Sequence, residues 1–309
     1  MEDSLYEARP GHRYLPTRLT QGPWAADRQH GGPVAALLAS VLESAAPPGW
    51  LTPQLTVDFL GAVPIAELAA SMDVTKDGRR TRCLTASLSR DGRVFACARA
   101  WQVAPERVPA SALPGPAAAT ALPDPPAATD ATAPGHTAAP GHTAAPGHTA
   151  APPPLPAESS SYSRARFRFG YQEAVEMRFI TGSFRERGPA TAWARLLVPL
   201  LPGVVCSPLQ RVAAIADFGS GISAILDWDT WNFQNLDLSV HLHRQPADEW
   251  IFLDSASLVG PAGAGTCRTI VHDAADTVGV AVQALLVTPA APAAPAPPRF
   301  GGPQACAGP

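Results

Sequence analysis

Apolar residues in this chain gather into two patterned stretches. In the first, Val34 to Glu43 reads Val-Ala-Ala-Leu-Leu-Ala-Ser-Val-Leu-Glu behind Gly31-Gly32-Pro33. A run that apolar predicts a helix buried on most sides, and Pro47-Pro48-Gly49 ends it. Alternation takes over afterwards: Leu55, Val57 and Phe59, then Leu68, Ala70, Met72 and Val74, then Arg82, Leu84, Ala86 and Leu88. Asp77-Gly78 and Asp91-Gly92 are hairpin-turn signals between these runs, and Val94 to Val103 closes the meander. One buried helix followed by long antiparallel strands predicts an α+β unit, a sheet wrapped on a helix.

The second stretch, 164–288, repeats these parts. Glu173 to Ile180 and Thr191 to Val198 read as strands. Ser207 suits an N-cap and Pro208 a first helical position, opening an apolar helix through Asp217. Leu236, Leu238, Val240 and Leu242 alternate, and Trp250 to Leu258, Thr266 to His272 and Val280 to Val287 follow, with a turn over Gly260 to Gly265. Leu55-Thr56-Val57-Asp58-Phe59 matches Leu238-Ser239-Val240-His241-Leu242, 183 residues later. The match is short and motivates a duplication hypothesis, which two unrelated sheets would sink.

Between and behind the two stretches the pattern vanishes. Residues 105–161 hold no aromatic residue, and 14 of the 35 prolines fall in 105–156 and 7 in 289–309. Within them a six-residue unit, Ala133 to Ala138, recurs twice and carries His136, His142 and His148. This reads as a linker expanded by repetition rather than a metal tract, because it cannot bury enough apolar surface to repay its ordering entropy. The expected organisation is an N-terminal domain over 1–104, a disordered Pro/Ala-rich linker over 105–161, a C-terminal domain over 162–288 and a disordered tail over 289–309.

Charge and cysteine narrow the class. A net charge of −3 and a pI near 6.2 argue against nucleic acid and against a polybasic membrane patch. The start, Met1-Glu2-Asp3-Ser4-Leu5-Tyr6-Glu7, lacks a basic, then apolar, signal-peptide pattern. No run of about 18 apolar residues is present for a membrane span. Cys83, Cys97, Cys206, Cys267 and Cys306 form no CxxC or metal-type cluster, so they read as reduced thiols. A soluble, cytoplasmic protein is expected, with no cofactor or metal and with homo-oligomerisation left open.

Taken together, several motifs resemble one family. Gly22-Pro23-Trp24 followed by His30-Gly31-Gly32-Pro33-Val34-Ala35-Ala36-Leu37-Leu38 resembles the first helix of double hot-dog acyl-CoA thioesterases. Thr56-Val57-Asp58-Phe59-Leu60 with Gly78-Arg79-Arg80 behind it is similar too. The second half adds Ser207-Pro208-Leu209-Gln210-Arg211, Ala216-Asp217-Phe218-Gly219-Ser220-Gly221, the run Asn235 to Arg244, and Val282-Gln283-Ala284-Leu285-Leu286-Val287. The likeness covers both patterned stretches in the family's order and points to the branch related to bacterial acyl-CoA thioesterase II. It implies a double hot-dog: two antiparallel sheets, each wrapped on a central helix, joined as an intramolecular dimer. The long Pro/Ala insert is a departure that falls where the family has a connector.

The resemblance also implies a chemistry, hydrolysis of an acyl-CoA thioester by an activated water in lipid metabolism. Such hydrolysis needs a base beside the water and donors where charge grows on oxygen. The family arranges an Asp, a Thr or Ser, and a Gln around that water. Asp217 falls on the Asp position, and its apolar neighbours make a carboxylate costly there unless something uses or pairs it. A helix-capping role before Gly219, or a pair with Arg211, is the structural alternative. Gln283 falls on the Gln position, where it could both donate to and accept from one water, unless it lies on a solvated strand face. Asn235 stands where the family often has Thr or Ser, a departure, and Ser239 is a weaker substitute. His30, Gly31 and Gly32 open a helix whose free N–H groups and missing Cβ atoms suit an approaching thioester. Tight helix packing explains the same glycines equally well, and His30 fits a rim or structural role better than a base.

Other motifs carry less. His241 and His243 share a strand face without a third ligand. Gly219-Ser220-Gly221 follows Phe218, not the Gly of a nucleophile elbow. Gly260 to Gly265 lacks the dinucleotide-binding spacing. Trp24, Trp193, Trp228 and Trp231 read as core by default. A hot-dog dehydratase would pair its Asp with a nearby His, and the next after Asp217 is His241. A non-catalytic acyl-thioester-binding or scaffold protein of the same fold is the main alternative to a hydrolase, and release from a carrier protein a weaker one.

Overall fold

A computed structural model of the chain describes residues 3–109, 111, 151–159 and 169–290. Its N-terminal half runs β1 (Tyr6–Arg9), β2 (Arg13–Pro16), α1 (Gly31–Glu43), β3 (Leu51–Phe59), β4 (Leu68–Asp77), β5 (Thr81–Arg90) and β6 (Arg93–Val103). The C-terminal half runs α2 (Gly170–Glu173), β7 (Val175–Thr181), β8 (Ala190–Leu196), α3 (Pro208–Ala216), α4 (Gly219–Ile222), β9 (Trp231–Asn235), β10 (Asp237–Leu242), β11 (Ile251–Val259), β12 (Ala264–His272) and β13 (Thr277–Pro289). Both expected apolar helices and the long meander strands are present. The short β1, β2 and β9 were not foreseen, because four or five residues of mixed polarity carry too little periodicity. A four-residue helix also takes the place expected to begin the β7 strand.

All strands join one antiparallel sheet in the order β1-β2-β4-β5-β6-β3-β10-β13-β12-β11-β8-β7, with β9 also on β13. The halves meet at β3 and β10, where Thr56 lies opposite Ser239. These residues, 183 apart in the chain, sit within hydrogen-bonding distance through their hydroxyls at 3.1 Å. Arg99 opposite Thr56 and Val282 opposite Ser239 share that spacing. The sequence echo therefore marks a local two-fold relation across the seam, as duplicated units would leave it.

On one side of this sheet α1 packs against β3 to β6, α3 packs against β8, β11 and β12, and the two helices pack against each other. One continuous core contains Leu37, Leu38, Leu55, Leu84, Leu88, Val212, Ile215, Leu238 and Leu253. The helices approach at Gly32, where a Cβ would stand 2.3 Å from the Ala214 carbonyl oxygen. They run antiparallel, so the end of each meets the start of the other. Ser207 forms a capping box with Gln210, and Glu43 accepts from Ser207 Oγ at 2.6 Å and Gln210 Nε2 at 3.0 Å. A carboxylate suits a helix N-terminus, yet burial still raises the Glu43 pKa above the usual range, with the two hydrogen bonds opposing it.

Two turns behave differently. Asp91 and Gly92 take positive φ, 50° and 78°, as a tight hairpin turn requires. The Asp77-Gly78 turn is longer, because a register shift in β4 between Val74 and Lys76 leaves Asp77 opposite Arg82. Part of the expected linker lies against the C-terminal half, where Trp193 Nε1 donates to the Pro153 carbonyl at 3.0 Å. The expected repeat with its three histidines, the tail beyond Ala290 and Cys306 lie outside the described residues. The four described cysteines are free thiols. Among the described residues no helix is long and apolar enough to cross a membrane.

Candidate active site

Asp217 caps the C-terminal end of α3 and is 2 % exposed. Local physics does not favour a carboxylate there, because the helix dipole presents its negative end and burial removes water. The compensation comes from other elements. β9 breaks at Leu236 before β10 begins, since the Leu236 N–H turns to the Ala284 carbonyl while Phe59 N–H takes the Leu236 carbonyl. That break leaves half-buried Asn235 facing α3, and its Nδ2 donates to Asp217 Oδ1 at 2.6 Å. Gln283, 1 % exposed on the inner face of β13, donates from Nε2 to the Asp217 carbonyl at 3.2 Å and reaches Oδ1 at 3.4 Å. The solvated-face alternative for Gln283 is thereby excluded. Arg211 does not pair with Asp217, for it donates to the Cys206 and Asp248 carbonyls.

Across the helix pair, His30 Nδ1 lies 2.8 Å from Asp217 Oδ2. The same Nδ1 lies 3.2 Å from the Gly32 N–H and caps α1. A ring nitrogen cannot accept from Gly32 and donate to Asp217 at once. The two contacts therefore compete for one nitrogen, which either accepts from Gly32 or donates to Asp217. His30 is buried in an aromatic surround: Phe218 and Tyr171 lie at 4.8 and 4.9 Å between ring centroids, Trp24 at 5.9 Å and Phe169 at 6.2 Å. Of the four tryptophans read as core, Trp193 is buried, whereas Trp24 is 48 % exposed.

The two glycines serve different neighbours. A Cβ on Gly31 would stand 2.7 Å from Asp217 Oδ2 and 2.9 Å from the Phe59 ring. A Cβ on Gly32 would meet the α3 backbone instead. Gly31 therefore opens space at the carboxylate, while Gly32 lets the helices close. Ser239 is not part of this cluster; it bonds at the seam with Thr56 and Asp237. Among the described residues no group of three or more His, Cys, Asp or Glu side chains could hold a metal ion.

Sequence reasoning missed Ser220. Its hydroxyl donates to Asn235 Oδ1 at 2.9 Å and its backbone N–H to Gln283 Oε1 at 3.1 Å. By occupying both amide oxygens, Ser220 turns both amide nitrogens toward Asp217. The only hint in the chain was a serine between two glycines three residues after the aspartate, which allows a close backbone approach. Gly219 supplies that approach, since a Cβ there would lie 2.3 Å from Thr269 Oγ1.

The sequence matches the model of the acyl-CoA thioesterase N-terminal domain over residues 20–103 and that of the acyl-CoA thioesterase C-terminal domain over residues 119–287. Among solved structures, it is similar to a conserved protein of unknown function with a hot dog fold from Alicyclobacillus acidocaldarius. That likeness has 15% identity, covers 94% of this chain and 98% of the other, and has a TM-score of 0.64. It is also similar to an acyl-CoA thioesterase II, TesB2, from Mycobacterium marinum, at 16% identity, with 94% and 97% of the chains covered and a TM-score of 0.56. At these identities the likeness is one of fold. No curated protein sequence matches the chain.

Proposed function

The chain belongs to the acyl-CoA thioesterase family, and we propose that it is a thioester hydrolase that cleaves an acyl-CoA to the free acid and CoA. The observation that carries this reading is Asp217. It is a carboxylate buried at the wrong end of a helix, braced on Oδ1 by two amides, with His30 Nδ1 and the Cβ-less Gly31 beside Oδ2 at the start of α1. We read each half as a hot-dog unit, its sheet wrapped on its own helix, and the two halves as an intramolecular dimer. The β3–β10 seam and the α1–α3 contact support that reading.

In the proposed reaction Asp217 is the general base. Asn235 spends one N–H on Asp217 Oδ1 and keeps the second for the water, while Gln283 Nε2 spans the Asp217 carbonyl and Oδ1 beside it. The thioester carbonyl is received at His30-Gly31-Gly32, where the Gly31 N–H at the start of α1 faces charge growing on oxygen, the Gly32 N–H being the one that His30 caps. Water attacks the carbonyl carbon and gives its proton to Asp217. The tetrahedral intermediate then expels the thiolate, and the proton passes to sulfur, leaving acid and CoA thiol. The assigned setting is cytoplasmic lipid metabolism.

Free-thiol release from a panel of short- to long-chain acyl-CoAs tests this reading. Release by the wild type, lost in Asp217→Ala, supports it. A folded protein that binds acyl-CoA and releases no thiol at any chain length overturns it in favour of a non-catalytic binder.

A further inference from the structure

A 470 Å³ groove lies on the N-terminal half, lined by Arg28, Pro64, Arg90, Asp91, Arg93 and Phe95 among others. Three guanidinium groups against one carboxylate make it a positive feature on a chain whose net charge is −3. Arg93 has no carboxylate partner among the described residues; its guanidinium lies 4.9 Å from the Phe95 ring centroid. It also lies against Gly61, where a Cβ would stand 3.0 Å from Nη2. Among the described residues the guanidinium groups of Arg28 and Arg90 form ion pairs with their sequence neighbours alone, Asp27 at 3.5 Å and Asp91 at 3.1 Å, in exposed pairs. Such pairs contribute little and exchange partners readily.

Short backbone segments join the walls of the groove to the cluster around Asp217. Arg28 bridges to Pro64, the Gln29 N–H bonds the Val63 carbonyl, and His30 follows directly. On the other wall the Leu60 N–H bonds the Phe95 carbonyl. Phe59, one residue earlier, closes on Gly31 beside the aspartate. Leu60, 57 % exposed, gives that path an apolar surface.

A thioester whose carbonyl sits at Asp217 must send its thiol arm outward, and in CoA that arm ends in a diphosphate and a 3′-phosphate on adenosine. Guanidinium groups match phosphate by paired, charge-assisted hydrogen bonds, and Pro64 and Phe95 offer flat apolar surface beside them. Resting on the hydrolase reading of Asp217, we propose that this groove holds the phosphates of CoA through Arg28 and Arg93. It thereby selects CoA thioesters over thioesters that lack the nucleotide, those on carrier proteins included.

The test compares three substrates sharing the acyl chain that the panel favours: the acyl-CoA, its 3′-dephospho form and the acyl-pantetheine. Arg28→Ala and Arg93→Ala each raise KM for the acyl-CoA about tenfold. They leave kcat and all acyl-pantetheine kinetics unchanged, and their effect on the 3′-dephospho substrate is smaller. Added salt raises the wild-type KM for the acyl-CoA alone. Unchanged KM in both variants, or equal losses on acyl-CoA and acyl-pantetheine, overturns the assignment. Calorimetric binding of CoA separates the two readings. If the wild type hydrolyses nothing, the hydrolase reading falls while weaker CoA binding by Arg93→Ala still supports the groove. CoA binding that is absent, or equal in variant and wild type, overturns the groove.

Discussion

His30 Nδ1 and Asp217 Oδ2 lie 2.8 Å apart, one at the start of α1 and the other at the end of α3, and both side chains are nearly out of contact with water. Each comes from a different half of the chain, so neither half alone contains the pair. The approach is possible because residue 31 has no Cβ to stand between them.

Replacing Asp217 with Asn removes the base and keeps the shape and the Oδ1 acceptor. Thiol release falls by about 10²- to 10⁴-fold, the span of general-base effects. Thermal unfolding followed by circular dichroism stays close to the wild type, because the new side chain no longer places a negative charge at a helix C-terminus. A variant that keeps full activity would remove Asp217 from the mechanism.

Gly31→Ala and Gly32→Ala separate activity from stability. At Gly31 the added methyl meets only side-chain ends, the Asp217 carboxylate and the Phe59 ring, which shift at the expense of the catalytic geometry, so kcat falls while the melting temperature drops less than at Gly32. At Gly32 it meets the Ala214 backbone carbonyl, the helices must part, and stability drops by about 1–3 kcal/mol. Thermal melts and steady-state kinetics on both variants check the contrast.

Ser220→Ala leaves the N–H that holds Gln283 and removes the hydroxyl that holds Asn235. Losing one hydrogen bond of about 1 kcal/mol lowers kcat roughly five- to tenfold, with KM unchanged. Because Ser220 acts through Asn235, the double variant Ser220→Ala/Asn235→Ala is no slower than Asn235→Ala alone. Additive losses in that cycle would make Ser220 merely structural.

Asp273 contributes to acid sensitivity, for its carboxylate binds Arg244 at 2.6 and 2.7 Å. It also accepts N–H groups from Ala247, Ala275 and Asp276. Burial pulls its pKa upward, but these partners outweigh burial and hold it far below the ordinary value. A depressed carboxylate contributes stability above its unfolded pKa, and that stability is lost as pH falls from about 4 toward the folded value. Melting temperature followed against pH shows this limb in the wild type. In Asp273→Asn that limb is shallower, Glu176 still contributing through Arg178 and Arg195, and the variant is less stable by about 2 kcal/mol at neutral pH.

Both main helices, both hairpin signals and the 183-residue echo were legible in the chain, because each is a local pattern. An apolar run, a Ser-Pro start and period-two alternation act over a few residues, and burial then reinforces them. Asp217, Gln283, Asn235, His30, Gly31 and Gly32 could be marked one by one through a family likeness. Their mutual arrangement could not. The Asp217–Gln283 bond spans 66 residues and depends on where β13 crosses the end of α3. The β9–β10 break that aims Asn235 meets Phe59 across the seam, the amide orientations set by Ser220 need α4, β9 and β13 together, and Arg28 reaches the Arg90–Arg93 hairpin only in the folded N-terminal half. Local pattern in the chain was enough for the two long helices, the meander strands and the position where a carboxylate would be costly, but not for the short β1, β2 and β9. What that carboxylate touches followed from packing, because hydrogen bonds of fixed length and direction between distant residues are encoded by no local periodicity.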